Sequence, residues 1–438
     1  MKYGQALTMK VDGFDERGRG IGKTDAKATA AYFVIPGETV EGIFVGRKQG
    51  TARLGDAVVT QASPDRVKPE CPHAGSCGGC AWQHVAYERQ LKEKIAMIDV
   101  AFKAAGVPLS VGRAIPAGEL FHHRNRMDYV FGPKGELGLK EPGRWDKHLD
   151  LATCLMLSAD GFEVVRRVKA WVKTTSHMPW DNRCHQGFLR YLVVREGKFS
   201  GERLATLVTS AGELENEEGL MEALDPLCTS IVHGVNHTIT DISTAATLRP
   251  LKGEALLREK IGGVSYRIHP NAFFQTNSRM AEVLLQEVKA FVKSGTHAKL
   301  LDLYCGGGFF SLGLAGDVES ALGVELDAPA IEQAKMTADE NGIKNVRFLA
   351  EAAEKLSWET EAPDVVIVDP PRSGLHPAVR RTLMERRPER IVYVSCNFRT
   401  LATDLKDLLR AYKAEPAVAV DLFPHTPHIE TLVHLTRI

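Results

Sequence analysis

Residues 299–315 read KLLDLYCGGGFFSLGLA, an apolar run that breaks into three glycines and resumes as Phe309-Phe310-Ser311. The run ahead of the glycines has the length and composition of a buried strand. Gly306, Gly307 and Gly308 allow the backbone to turn tightly and approach a ligand, and the helix that follows offers free N–H groups at its start. Similar strands recur at SALGVEL (320–326), DVVIVD (364–369) and RIVYVS (390–395), with helical segments between them. Strands alternating with helices specify an α/β doubly wound domain with a mostly parallel sheet, predicted over residues 266–438.

Spacing narrows the ligand. Glu325 ends the next strand, 23 residues after Asp302, where a carboxylate accepts hydrogen bonds from both hydroxyls of a ribose. No Lys-Ser/Thr pair follows the glycines, which disfavours a P-loop, and G-x-G-x-x-G is absent. The pattern D-x-x-C-G-x-G-x-F over 302–310 resembles the first motif of class I S-adenosylmethionine (SAM) methyltransferases, which have a Rossmann-like domain. Asp369-Pro370-Pro371-Arg372 ends the strand at 364–369, at the edge where open α/β sheets bind ligands, and its prolines make one rigid wall. Base amino-methyltransferases place an aromatic residue where Arg372 stands. The next strand brings Cys396 to the same edge.

Upstream the composition differs. Residues 1–62 carry short apolar stretches (AYFVI, EGIFVG, DAVVT) between turns, which suits a small all-β, OB-like barrel, and GFDERGRGIGK (13–23) reads as a hairpin or bulged loop. Residues 63–265 read as an α+β middle domain that opens on a cysteine cluster. It includes a helix at about 88–105 with Leu91, Ile95, Ile98 and Phe102 on one face; this helix is open to packing with the catalytic domain instead. Across 438 residues, 55 basic and 55 acidic residues balance, so a nucleic-acid partner has to be held by local patches. No apolar run is long enough to span a membrane and no signal peptide is evident, which predicts a cytoplasmic protein with mostly reduced cysteines. No obligate protein partner is evident.

Carbon 5 of uracil is too poor a nucleophile to attack a methyl sulfonium unaided. A thiolate adding at carbon 6 makes an enolate whose carbon 5 takes the methyl group, and a base then removes the carbon-5 proton. Cys396 and Glu430 are the candidates, with the turn into the next helix expected to favour the thiolate. SCNFRTLATDL (395–405), DPPRSGLHP (369–377) and FPHTPHIE (423–430) together resemble the RNA 5-methyluridine (uracil-C5) methyltransferases, and residues 1–60 resemble their RNA-binding TRAM domain. The resemblance implies Cys396 as nucleophile and Glu430 as base. It implies Gln275, Tyr304, Glu325 and Asp369 as SAM contacts, joined by Gly306 and Gly308 of the turn, and Phe273 beside the RNA base. It also implies 23S ribosomal RNA as the substrate, with transfer RNA as the alternative.

Cys71, Cys77 and Cys80 gather three thiols around tight Gly turns. Spacing leaves zinc and a 4Fe-4S cluster open; the resemblance implies the iron–sulfur cluster, with Cys154 as fourth ligand. Cys184 and Cys228 read as packing residues. FHHRNRMDYVF (121–131) mixes cations with aromatics, and Arg126 is its candidate RNA contact, because an enzyme acting on a stacked uridine must extrude it. Two rival readings are a purine amino-methyltransferase, which has no use for Cys396, and a noncatalytic RNA-binding iron–sulfur protein.

Overall fold

The computed structural model describes residues 1–24, 27–293, 298–358 and 362–438. Strands β1 (Ala6–Phe14), β2 (Gly20–Thr24), β3 (Lys27–Ala31), β4 (Thr39–Lys48) and β5 (Thr51–Gln61) close into a barrel. Alternate residues of β1, Leu7, Met9 and Val11, point inward onto Val40, Phe44 and Leu54. The β1–β2 hairpin carries a bulge between Val11 and Gly13, as its Gly-rich sequence predicts. Arg66 beyond the barrel closes on Glu38, which is fully buried, with Nη2–Oε2 at 2.8 Å.

Helix α1 (Tyr87–Ala105) follows, then β6 (Val111–Ile115). The helix lies where the sequence places it, but its buried stripe is Gln90, Lys94, Ile98 and Phe102 rather than the expected all-apolar face. The polar members reach the loop before the last strand. Lys94 Nζ donates to Asp421 Oδ1 at 2.7 Å and to the Phe423 carbonyl at 3.0 Å, and Gln90 Oε1 accepts from His425 N at 2.8 Å. Both charges of the Lys94–Asp421 pair are fully buried, a geometry in which losing either partner strands the other.

The middle sheet is built from β7 (Arg126–Phe131), β8 (Leu137–Lys140), β9 (His148–Asp150), β10 (Leu189–Glu196), β11 (Arg203–Thr209), β12 (Ser230–Val235) and β13 (Thr247–Lys252), in the order β13-β12-β11-β10-β7-β8-β9. Helix α2 (Ala159–Val172) covers it through Val164, Val165 and Val168, and α3 (Glu217–Leu224) packs alongside through Leu220 and Leu224. Ser158 caps α2 by accepting from Gly161 N at 3.0 Å.

A two-stranded hairpin, β14 (Leu257–Ile261) and β15 (Val264–Ile268), leads into α4 (Ser278–Val292). The α/β unit then runs β16 (Lys299–Leu303), α5 (Phe309–Gly313), β17 (Ser320–Glu325), α6 (Ala328–Glu340), β18 (Val346–Ala350), β19 (Val365–Val368), α7 (Pro377–Arg386), β20 (Arg390–Ser395), α8 (Phe398–Leu408), β21 (Tyr412–Ala414), β22 (Ala417–Val420) and β23 (Glu430–Arg437). Its sheet has the order β18-β17-β16-β19-β20-β23-β22-β6, with β21 on β23. Strands β16 to β20 are parallel, and β23 runs antiparallel to β20. Neighbouring residues face opposite cores: Leu300, Ile367 and Val392 one, Leu301, Val368 and Tyr393 the other. Burial on both faces is why these strands read as unbroken apolar runs.

Strand β6 joins the nine-stranded sheet beside β22 while Ile98 and Phe102 of α1 enter its core, which is the packing with the catalytic domain that the sequence leaves open for this helix. Leu257 and Ile261 of β14 also pack into the α/β core. No described helix is long and apolar enough to cross a membrane.

Candidate active site

The strand order reverses between β16 and β19, which opens a crevice at their carboxyl ends. The Gly-rich turn occupies it. Tyr304 has φ of 64°, a conformation that costs a non-glycine residue energy, and Gly306 and Gly308 follow at 53° and 78°. At Gly308 a Cβ would also lie 2.8 Å from the Phe348 ring, so only glycine fits. Glu325, at the tip of β17, accepts from Gly306 N at 3.2 Å and from Asp327 N at 3.0 Å, which fixes its carboxylate at the crevice mouth.

Beneath lie two further carboxylates. Asp302 is fully buried; its Oδ2 accepts from Ser311 N and Oγ at 3.0 and 2.6 Å, and its Oδ1 has no partner among the described residues. Burial pushes its carboxyl up to about 7, with the charge of Glu325 adding to the effect. Asp369 follows the end of β19 and is raised by burial and by the charge of Asp302. Gln275 reaches across from the segment before α4 and donates Nε2 to Asp369 Oδ2 at 3.5 Å, and the Tyr304 hydroxyl accepts from His376 N at 3.5 Å. Gln275, Tyr304, Gly306, Gly308, Glu325 and Asp369 thus meet around one crevice.

Cys396 follows β20 directly. The register ends with Ser395 paired to Thr431, so Cys396 and Glu430 are the next residues on either side, and the charge of Glu430 acts on the Cys396 thiol. Asn397 begins α8; its Oδ1 accepts from Arg399 N at 3.2 Å and its Nδ2 donates to the Arg372 carbonyl at 2.8 Å, tying the Asp-Pro-Pro-Arg loop to the turn after Cys396. Glu430 is buried with Oε2 unpartnered among the described residues, and burial together with the charge of Asp369 raises its carboxyl well above the ordinary range. Burial pushes the Cys396 thiol up to about 11, with Glu430 and Asp369 adding to the rise and Arg372 opposing it. The expected thiolate is thus not the resting state, because loss of solvent outweighs the turn and the guanidinium.

Cys396 opens onto a cleft of about 850 Å³ whose walls come from every layer of the chain: Glu16 and Arg17 of the barrel, Gly79 of the cysteine segment, Arg126 of the middle sheet, Phe273 before α4, and Arg372. Phe273 is 71% exposed, so it projects into open space instead of packing in a core. Arg126 reaches the cleft but is held by Asp128 in a two-pronged pair at 2.7 and 2.9 Å. The sequence reading missed two residues here. Arg372, noted only for not being aromatic, acts on both Cys396 and Glu430, and His428, two residues before Glu430, lines the cleft and is kept neutral by burial and by Arg372, at about 4. Proximity of FPHTPHIE to the candidate base was the available signal for His428.

Cys71, Cys77, Cys80 and Cys154 line a second, small cavity that shares Gly79, Leu139 and Met156 with the cleft. Burial pushes Cys77 and Cys80 up to about 11 and 12, with the charges of Cys154 and Cys71 adding to the rise. Among the described residues no group of three or more His, Cys, Asp or Glu is arranged to hold a metal ion. One zinc would need its sulfurs roughly 3.7 Å apart, from bonds of about 2.3 Å, whereas a four-iron cubane would take each thiolate on a separate iron. Cys228 is buried as expected, but Cys184 is exposed, with its Sγ donating to the Asp181 carbonyl at 4.0 Å.

Residues 257–438 match the family described as tRNA (Uracil-5-)-methyltransferase. The chain is 36% identical over 403 residues to the tRNA (uracil(54)-C(5))-methyltransferase of Pyrococcus horikoshii, covering 92% of this chain and 94% of that one. It is also 36% identical over 439 residues to an uncharacterized RNA methyltransferase of Nanoarchaeum equitans, at 99% and 93% coverage. The crystal structure of the Pyrococcus abyssi tRNA (uracil-54, C5)-methyltransferase in complex with S-adenosyl-L-homocysteine superposes with a TM-score of 0.84 at 31% identity, covering 98% of this chain and 99% of that one. Likeness over the full length of both chains leaves no room for the purine amino-methyltransferase or the noncatalytic reading. The chain belongs to the RNA uracil-C5 methyltransferase family and is a SAM-dependent enzyme.

Proposed function

We propose that this enzyme methylates carbon 5 of uridine 54 in transfer RNA. The carrying observation is the near-complete, two-way coverage by an enzyme named for that nucleotide, joined to the same fold. Three relatives, from Pyrococcus horikoshii, Pyrococcus furiosus and Pyrococcus abyssi, are named for uracil 54 of tRNA, which favours the transfer-RNA alternative over the 23S ribosomal RNA expected from sequence.

In the proposed reaction Cys396, once deprotonated, adds to carbon 6 of the extruded uracil, and the displaced electron pair moves onto the ring as an enolate. SAM, held in the crevice, would supply the methyl group for carbon 5, its S–CH3 bond breaking to leave the neutral thioether S-adenosylhomocysteine. Glu430 takes the carbon-5 proton, the double bond re-forms, and the Cys396 sulfur leaves carbon 6. Arg372 offsets negative charge as the thiolate forms. Glu325 accepts the ribose hydroxyls of the donor, the glycines leave space and N–H groups beside it, and Gln275, Tyr304 and Asp369 complete its walls. Phe273 supplies a face for the extruded base, and Arg126 flanks it. The barrel serves as a TRAM-like RNA-binding module. Cys71, Cys77, Cys80 and Cys154 would hold a 4Fe-4S cluster that stiffens the segment lining the cleft, a role supported by their shared cavity.

A tRNA transcript incubated with labelled SAM yields 5-methyluridine, and changing uridine 54 to cytidine removes the product; methylation of 23S fragments in its place overturns the tRNA assignment. Burial raises the Cys396 thiol to about 11 and raises the Glu430 carboxyl, and both must be ionised to act, so log(kcat/KM) rises with pH toward about 11; a profile flat from neutral pH upward contradicts this. Arg372→Ala removes the charge that lowers both groups and shifts that rise to higher pH; an unshifted profile contradicts the electrostatic role. Anaerobically purified protein contains about four irons and four sulfides per chain, and Cys77→Ser or Cys154→Ser loses them. Zinc in stoichiometric amount, or no metal, refutes the cluster.

A further inference from the structure

An ion pair joins the barrel to the helix that follows Cys396. Glu16 stands at the tip of the β1–β2 hairpin and meets Arg399 Nη1 at 2.6 Å. Arg399 lies three residues past Cys396, and both members of the pair line the cleft that opens on that thiol. Its guanidinium is held over the Phe398 ring, 5.5 Å from the centroid, so it is aimed before any substrate arrives.

Neither the hairpin nor the docking of the barrel needs the Glu16 carboxylate. Asp15 holds the turn by accepting from Arg17 N and Arg19 N, both at 2.9 Å, and by pairing with Arg19. Gly18 docks the hairpin: its carbonyl accepts from Trp82 Nε1 at 2.9 Å, and a Cβ there would lie 3.3 Å from Ala81 and from Pro427. The Glu16–Arg399 pair is about half exposed on both sides. Such a pair is weak and easily exchanged, yet it puts an anion on the guanidinium beside the nucleophile in an enzyme whose substrate is a polyanion.

We infer that Arg399 takes a backbone phosphate of the RNA next to the target uridine, and that Glu16 occupies its guanidinium in the free enzyme as a displaceable phosphate mimic. Entry of the RNA exchanges carboxylate for phosphate, both of them bidentate partners of a guanidinium. The released hairpin tip, with Arg17 beside it on the cleft wall, is then free to follow the strand. The barrel therefore sets a threshold that a nucleic acid crosses only by presenting phosphate at the catalytic mouth. The inference rests on the RNA methyltransferase reading.

The test measures the dissociation constant of a tRNA transcript for the full chain, Glu16→Gln, Arg399→Gln and the double variant, across a salt series. Methylation of the same RNA by the unaltered chain is followed in parallel, so failure of the functional reading shows as absent product while the latch is read from binding. Removing the competitor lowers the dissociation constant about two- to fivefold in Glu16→Gln, the worth of an exposed pair. Arg399→Gln weakens binding and reduces the salt slope by about one phosphate contact. In the Arg399→Gln background the gain from Glu16→Gln disappears. Weaker or unchanged binding by Glu16→Gln makes the pair a structural strut and overturns the proposal. An equal gain with and without Arg399 reduces the effect to net charge and overturns it as well.

Discussion

The antiparallel pairing of β20 with β23 governs the catalytic edge. It is the step at which a parallel sheet acquires a reversed strand, and it brings Cys396, just past the end of β20, near Glu430 at the start of β23. A slip of β23 by one residue would turn Glu430 to the other face. Val433 and Leu435 facing one core, and Leu432 the other, prevent that slip, because every alternate residue of β23 is committed to burial. The chemistry proposed for the pair is thus held by the same apolar pattern that forms the sheet.

Around that register the protein concentrates buried charge. Asp302, Asp369 and Glu430 form a series in which each carboxyl raises the next or is raised by it, and Arg372 is the cation set against them. Buried like charges hold protons they would otherwise lose, so the resting site is less negative than its composition suggests. The loop between β22 and β23 could relax this arrangement by moving, and α1 prevents it: Lys94 is buried on Asp421, and Gln90 on His425. Trp82 N donates to the His425 carbonyl at 2.9 Å, so the cysteine segment, the helix and the catalytic loop form one unit.

Much of this was readable from the residues. The Gly-rich turn, Glu325 and Asp-Pro-Pro-Arg sit on separate strands whose apolar composition already marks a two-sided sheet, and their meeting at one edge follows from α/β topology. The barrel was legible through alternation and turns. The polar stripe of α1 was not, because periodicity scores Gln90 and Lys94 as solvent-facing; only the distant Asp421 and His425 explain their burial. The resting state of Cys396 was misjudged for a related reason. Sequence places a helix start beside the thiol, but not the loss of water that outweighs it. The transfer of β6 to the catalytic sheet was equally hidden, since parallel pairing with β22 joins residues about three hundred positions apart.

The central claim is that Cys396 forms a covalent bond to the uracil while Glu430 waits for the carbon-5 proton. The most direct measurement uses tRNA in which 5-fluorouridine replaces the target uridine, since fluorine cannot leave as a proton. With SAM present the enzyme and RNA accumulate as a denaturation-resistant adduct, and mass spectrometry of its peptides places the nucleotide on Cys396. Absence of an adduct under conditions that methylate ordinary tRNA, or attachment at another residue, contradicts the account.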